Sequence, residues 1–512
     1  MIEKQPFERM KVSCPNWDCD YRSGLPVHIV DTDVYRERPE LVIGTVDKFA
    51  RMAWKGDVAN IFGRVHAGEP GPDLIIQDEL HLISGPLGST VGLFETAVDL
   101  ASSSVGRAGG AEGAVRRPKV IASTATIRRA DAQIRAVFNR TSRLFPQPGT
   151  DPNDSFFAEQ APRAEYGTRE YVGVMAAGTS HATLMVRTYA SLLHSAAVLE
   201  GDDATRDPYW TLMGYFNSLR VLGSAYLQVY DDVRARLKLL ASREGISEAR
   251  EVELSELTSR VSSNLIPGAL KSLETGLGDA RTPDDVVLAT NMISVGLDVD
   301  RLGLMAVMGQ PQSNAEYIQA TSRVGRKHPG LVVTIFNSAK SRDRSHYEGF
   351  IPYHQALYRA VEATSATPFA ARSRDRALHA VMVSALRMME GRLRDDDRPG
   401  NISKTGSSVE QVFEFIRDRV AAIQPEDADA TSLELENLLA TWRKAAAINP
   451  KLRYWGMRDP GNSLLIDFAK ALEDPDYRPT TTETPWPTPS SMRDVDAETT
   501  LRPIWVRKDS NA

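Results

Sequence analysis

Short apolar runs alternate with amphipathic stretches through the first two thirds of the chain. Leu41-Val42-Ile43-Gly44-Thr45 reads as a short buried strand that ends in a polar loop, with a helix following through Phe49-Ala50-Arg51-Met52. Leu74 to Ile76 predicts a second strand and the residues around Leu93 to Leu100 an amphipathic helix. Lys119-Val120-Ile121-Ala122-Ser123 predicts a third strand, and Asp131 to Phe138 a third helix. Strand and helix in alternation predict a parallel sheet covered on both faces over residues 38–145. Ser102 to Gly113, rich in Gly, Ser and Ala, reads as a loop.

Pro- and Asp-rich residues predict a linker over 146–170. A second α/β domain is expected over 171–345. Its strands are Leu212 to Phe216, Val286 to Ala289, Leu304 to Met308 and Leu331 to Phe336, with a long helix from Leu219 to about Leu240. The Glu-rich stretch from Ala241 to Arg260 reads as helical and solvated, and a helix is expected from Ala315 to Arg323. Strand signals then fade. Tyr353 to Ala363, Arg374 to Glu390, Val409 to Ile423 and Leu433 to Ala447 each carry one apolar stripe, which predicts a helical region over 346–475. Residues 476–512, rich in Pro and Thr, read as an extended tail.

Composition narrows the class only a little. The 512 residues suffice for two or three domains, and 42% apolar content, 25% charged content and a net charge of −6 are ordinary for a soluble protein. Mild acidity argues against a histone-like coat of positive charge but leaves room for a local basic track. No run approaches the roughly 18 apolar residues that span a bilayer. The first residues lack the apolar core of a signal peptide, so no membrane association and a cytoplasmic location are expected. Only two cysteines occur, Cys14 and Cys19. They are either two ordinary reduced thiols or half of a zinc site whose other ligands lie elsewhere.

Asp78-Glu79-Leu80-His81, at the end of the Leu74 strand, is the leading chemical feature. Adjacent carboxylates at a strand end can steady Mg²⁺ and orient a water at the γ-phosphate of a nucleoside triphosphate; without its context the same tetrapeptide is an ordinary strand-to-loop turn. Four companions follow the same logic. Ser123-Thr124-Ala125-Thr126 follows a strand and can relay nucleotide state through hydroxyl hydrogen bonds, or simply cap a helix. Gly44-Thr45-Val46-Asp47-Lys48 offers a threonine and a lysine to a strand phosphate, or again a cap. Thr290 follows a strand, and Asp298, eight residues on, can accept from a ribose hydroxyl, with Gly296 allowing close backbone approach. Gln319-x₃-Arg323-x-Gly325-Arg326 places two arginines three apart, able to neutralise phosphate charge; the alternative is a helix C-terminus that favours cations.

In this order and spacing the set resembles the superfamily 2 helicases. It matches motif Ib (Thr45 region), motif II (Asp78 to His81), motif III (Ser123 to Ala125), motif IV (Tyr215-Phe216-Asn217-Ser218), motif V (Thr290 to Asp298) and motif VI (Gln319 to Arg326). More narrowly, GTVDKFA, PDLIIQDELHLISGPLGS, NSLRVLG, LTSRVSS, DRSHYEGFIPYHQALYRAVEATSATPF and SMRDVD resemble the DrmA-type helicase subunits of DISARM anti-phage systems.

The resemblance implies two RecA-like α/β domains, the first incomplete, plus a C-terminal helical region. It implies ATP and Mg²⁺ as cofactors, DNA as a partner, single-stranded or partly duplex, and a second partner protein of the DUF1998 type. Asp78 would hold Mg²⁺ and Glu79 would position water, while His81 and Gln319 couple nucleotide to the partner domain. Arg323 and Arg326 would be arginine fingers. Thr45, Lys48, Ser218 and Thr290 would touch the nucleic-acid backbone, Ser123 and Thr124 would couple, and Gly296 and Asp298 would lie by the ribose.

Three departures stand out, one being Leu257-Thr258-Ser259-Arg260 in place of the His-Gly element common before motif V. The sequence holds no G-x-x-x-x-G-K-[ST], so the chain alone is expected to hydrolyse ATP poorly and to be N-terminally incomplete. Motif VI has Ser322-Arg323 where many relatives have Gly-Arg. The rival expectation is a non-catalytic DNA-binding or assembly protein that retains the helicase fold.

Overall fold

The computed structural model describes residues 2–3, 9–65, 69–105, 115–124, 130–147, 150–151, 154, 156–157, 162, 167–262, 264–290, 299–362, 364–456, 462–473 and 483–493. The chain divides into two units, one of residues 1–143 with 363–512 and one of residues 144–362. The second unit therefore takes in the expected linker and the segment around Tyr353, whereas the later helices join the first.

In the first unit, β1 (Leu74–Gln77) pairs in parallel with β2 (Lys119–Ala122), Ile76 opposite Ile121. The crossover is α1 (Gly85–Ser102), and α2 (Ala130–Phe138) follows β2. A parallel pair needs such a crossover, because a tight turn reverses direction. The guanidinium of Arg64 ends α1, donating to the carbonyls of Leu100, Ala101 and Ser103. β1 was expected to be buried; instead Leu74 and Ile76, with Ile121 of β2, are exposed. Leu41 to Thr45 is not a strand, and Leu41 and Ile43 are among the most exposed apolar side chains described. An apolar run becomes a buried strand only beside hydrogen-bonding neighbours, and among the described residues this one has none. Thr45 instead precedes a 3₁₀ helix, Val46–Ala53.

The second unit is built on one six-stranded, wholly parallel sheet. Its strands are β3 (Arg169–Met175), β4 (Leu212–Phe216), β5 (Leu254–Leu257), β6 (Val286–Ala289), β7 (Leu304–Met308) and β8 (Gly330–Phe336). They lie in the order β3-β8-β7-β4-β6-β5. Central strands β4, β6 and β7 are buried along their whole length, as continuous apolar runs in a sheet covered on both faces should be. One face packs on α3 (His181–Val198) and a long helix that starts as α4 (Leu219–Gln228) and runs to Arg243 through a π-helical turn at Val229–Val233. The other packs on α5 (Asn314–Thr321). The Glu-rich stretch after Ala241 is not helical throughout: it contributes edge strand β5, whose Leu254 and Leu257 face the two cores.

Back in the first unit, α6 (Ala371–Met389), α7 (Gly406–Ile423) and α8 (Ala428–Ile448) share one hydrophobic core with α1 and α2. Strands β9 (Leu465–Asp467) and β10 (Trp486–Thr488) pair in parallel beside α6, with Trp486 fully buried. No described helix is long and apolar enough to cross a membrane.

Candidate functional site: strand tips and helix ends

The tips of β1 and β2 bring two of the predicted motifs together. The Ser123 hydroxyl donates to Asp78 Oδ1, which also accepts the Glu79 N–H at 2.9 Å. Below this, the Ser123 N–H donates to the Gln77 carbonyl and the Leu80 N–H to the Ser123 carbonyl, each at 2.9 Å, so the chain leaves β1 still laced to β2. Glu79 has a left-handed backbone (φ 51°, ψ 49°), uncommon for a side chain of its type and favoured here by the bonds on both sides of it. That kink tucks His81 inward. His81 is buried, with Nδ1 3.1 Å from Thr124 Oγ1 and 3.3 Å from Glu79 Oε2.

Gln133 of α2 secures the next turn, its amide donating to the carbonyls of Leu80 and Ile83 and accepting from the Thr364 hydroxyl. The spacing-based reading missed Gln133, because nothing local marks a glutamine as a clamp for a loop 50 residues away. Asp78 is exposed and Glu79 partly so, which leaves carboxylate oxygens of the type Mg²⁺ prefers at the surface of the strand tip. The 512 residues hold no G-x-x-x-x-G-K-[ST] pattern.

Thr45 and Lys48 are exposed at the 3₁₀ turn. Lys48 Nζ pairs with both carboxylate oxygens of Asp31 at 2.8 and 2.9 Å; a solvated pair of this kind is worth about 0–1 kcal/mol and yields readily to another anion. Between them, the Asp47 carboxylate is taken up by the C-terminal segment. Its Oδ1 accepts the Ser491 hydroxyl (2.6 Å) and the N–H groups of Met492 (3.0 Å) and Arg493 (3.3 Å), and its Oδ2 lies 3.2 Å from Arg493 Nε. Cys14 and Cys19 are partly exposed, and no group of three or more potential metal ligands occurs among the described residues, so nothing described completes a zinc site.

In the second unit, Ser218 caps α4 by accepting the Val221 N–H at 3.4 Å. Thr290 is buried at the end of β6; Gly296 and Asp298 fall outside the described residues. Gln319 is buried within α5. The helix expected to run to Arg323 ends at Thr321, so both arginines lie in the turn beyond it. Ser322 closes the helix with its N–H on the Ile318 carbonyl, and Gly325, at φ 69°, redirects the chain towards β8. A Cβ on Gly325 would sit 2.7 Å from the Gly330 Cα, so the turn admits only glycine without rearrangement. Arg169 of β3 holds the turn from below, Nε donating to the Val324 carbonyl at 2.8 Å. Tyr171 and Tyr317 fix α5 to the sheet through Thr321 (3.1 Å) and Thr334 (2.9 Å).

A buried charge cluster ties the C-terminal helices to α1. Asp99 accepts from Arg117, from Arg140 at 2.9 Å and from Arg419 of α7 at 2.9 Å, and Arg419 also donates to the Val137 carbonyl at 2.6 Å. Glu95, one turn earlier on α1, retains some surface area, yet its carboxyl is densely enclosed by protein. Burial pushes it up to about 8, with Arg419 drawing it down and Asp99 adding to the rise.

Residues 246–328 match the helicase conserved C-terminal domain. The chain is 41% identical over 482 residues to the DISARM protein DrmA of Bacillus paralicheniformis, a match that covers 87% of this chain and 42% of that relative. The chain thus spans less than half the relative's length. Among solved structures it is similar to the DUF1998 helicase MrfA bound to DNA and AMPPNP (TM-score 0.46, 14% identity, 69% of this chain and 42% of that one). It is likewise similar to the Mycobacterium smegmatis helicase Lhr bound to ssDNA and AMP-PNP (TM-score 0.45, 14% identity, 70% and 40%). The chain thus carries a helicase conserved C-terminal domain on its parallel sheet and is similar to DrmA along most of its own length.

Proposed function

We propose that the chain forms the DNA-translocating part of an ATP-driven motor in an anti-phage defence system. The observation that carries this reading is the double link between strand tips, Asp78 to Ser123 and His81 to Thr124, which joins a metal-type carboxylate and its neighbouring histidine to a hydroxyl pair on the next strand tip. When bound, ATP with Mg²⁺ supplies the driving reaction, transfer of the γ-phosphoryl group to water. Asp78 would hold the cation through water, and Glu79 would orient the attacking water and accept its proton. Arg323 and Arg326 would neutralise charge on the phosphoryl group, with Arg326 the main contact. His81 and Gln319, with Ser123 and Thr124, would report nucleotide state to the nucleic-acid side. Gly296 and Asp298 would lie by the ribose.

Thr45, Lys48, Ser218 and Thr290 would grip phosphate and sugar, so DNA binding should be nearly independent of sequence and strongly salt-sensitive. The resemblance adds a DUF1998-type protein as a partner.

The missing phosphate loop favours a second reading, a DNA-binding or assembly protein without turnover. ATP turnover with and without single-stranded DNA separates the two. It is measured on this chain and on the chain extended by the residues encoded immediately upstream. DNA-stimulated turnover in the extended form, lost in Glu79→Gln, supports the motor. DNA binding with no turnover in either form, and no phosphate-loop pattern upstream, supports the second reading.

A further inference from the structure

We infer that the C-terminal segment 483–493 is an electrostatic shield for the DNA-gripping turn, and that Arg493 is its positioning residue. The inference rests on the proposed grip by Thr45 and Lys48. Asp47 stands between those two residues, and a bare carboxylate there would repel a strand phosphate by the same Coulomb interaction that makes Lys48 attractive. The structure shows what offsets it. Four donors converge on the one carboxylate: the Ser491 hydroxyl, two backbone N–H groups and the Arg493 guanidinium. All come from a segment about 444 positions away in sequence.

The segment is built to stay in place. Trp486 is fully buried and its N–H donates to the Leu464 carbonyl at 2.8 Å. The Thr488 hydroxyl lies 3.2 Å from His379 Nε2, Trp54 donates to the Pro489 carbonyl at 3.1 Å, and Met492 is buried. Arg493, by contrast, keeps 66% of its side chain exposed, so its positive charge is presented to solvent beside Asp47 while Asp47 is neutralised. Residues that sequence reading kept apart, Asp47 and Ser491 to Arg493, thus meet in the fold.

The test is binding of a fluorescein-labelled single-stranded oligonucleotide to the full chain, without nucleotide, by anisotropy over a salt series. Arg493→Ala should weaken binding roughly fivefold at low salt, the effect of one unshielded charge a few ångströms from a phosphate. Arg493→Lys should retain most of the affinity. Adding Asp47→Asn to Arg493→Ala should restore binding to within about twofold, because the unshielded charge is gone; a purely structural loss would not be restored. Unchanged binding in Arg493→Ala overturns the inference, as does a loss that Asp47→Asn leaves in place. Should Thr45→Ala with Lys48→Ala leave binding unaltered, the grip itself is wrong, and the shield falls with it.

Discussion

The Ser123 hydroxyl donates to the Asp78 carboxylate, joining the tips of two parallel strands 45 positions apart in sequence. The bond occupies one of the oxygens proposed to serve Mg²⁺, so it can respond to metal and nucleotide. Ser123→Ala should leave basal ATP turnover of the extended protein nearly intact and reduce its stimulation by single-stranded DNA roughly tenfold, the scale of a lost coupling of 1–2 kcal/mol. Turnover measured with and without DNA decides it; equal stimulation in both proteins would remove Ser123 from the coupling path.

Asp99 pairs with Arg117, Arg140 and Arg419 at once, and both it and Arg419 are buried. Asp99→Ala leaves the buried Arg419 guanidinium without its ion-pair partner, which should cost about 3–5 kcal/mol. Denaturant unfolding followed by tryptophan fluorescence would show it, since Trp54 and Trp442 lie in the same core. An unaltered midpoint would mean that α7 is held by its apolar contacts alone.

Glu95 gives a pH signature. Its folded carboxyl titrates near 8, above the ordinary value of 4.5, so between those pH values the folded protein holds a proton that the unfolded chain releases. The stability it contributes is fully present below pH 4.5 and is lost as pH rises through 8. The melting temperature should therefore fall from pH 5.5 to 8.5 more steeply in the unaltered chain than in Glu95→Gln. Parallel profiles would show that the carboxyl is ionised throughout.

Gly325 shapes the turn that carries both arginines. Gly325→Ala meets a left-handed backbone and the Gly330 backbone at once, and should destabilise the second unit by about 1–3 kcal/mol. Thermal unfolding checks this; a variant as stable as the parent would show that the turn relaxes freely.

The sequence made the central strands legible because β4, β6 and β7 are covered on both faces and must be apolar throughout. It concealed β3 and β5, the two outer strands of the same sheet. Each has one neighbour and partial exposure, so Arg169, Glu170, Ser255 and Glu256 fit there and blur the strand signal. Leu41 to Ile43 misled in the opposite sense, since local apolarity cannot reveal whether a partner strand lies alongside. The C-terminal helices were visible as helices, but their shared core with α1 depends on Asp99 meeting Arg419 across 320 positions. At the strand tips, residue types and order singled out Asp78, His81, Ser123 and Thr124, which the fold brings together. The interlocking of those residues, and the hold of Ser491 to Arg493 on Asp47, required the fold.

ATP turnover of the extended protein carrying Glu79→Gln, Arg326→Ala and both changes tests the account most directly. If the acidic pair and the motif VI arginines serve one triphosphate, each single change should lower turnover by roughly 10²–10³-fold, and the double change should be scarcely worse than either. Turnover that survives Arg326→Ala, or losses that multiply in the double variant, would contradict a shared nucleotide.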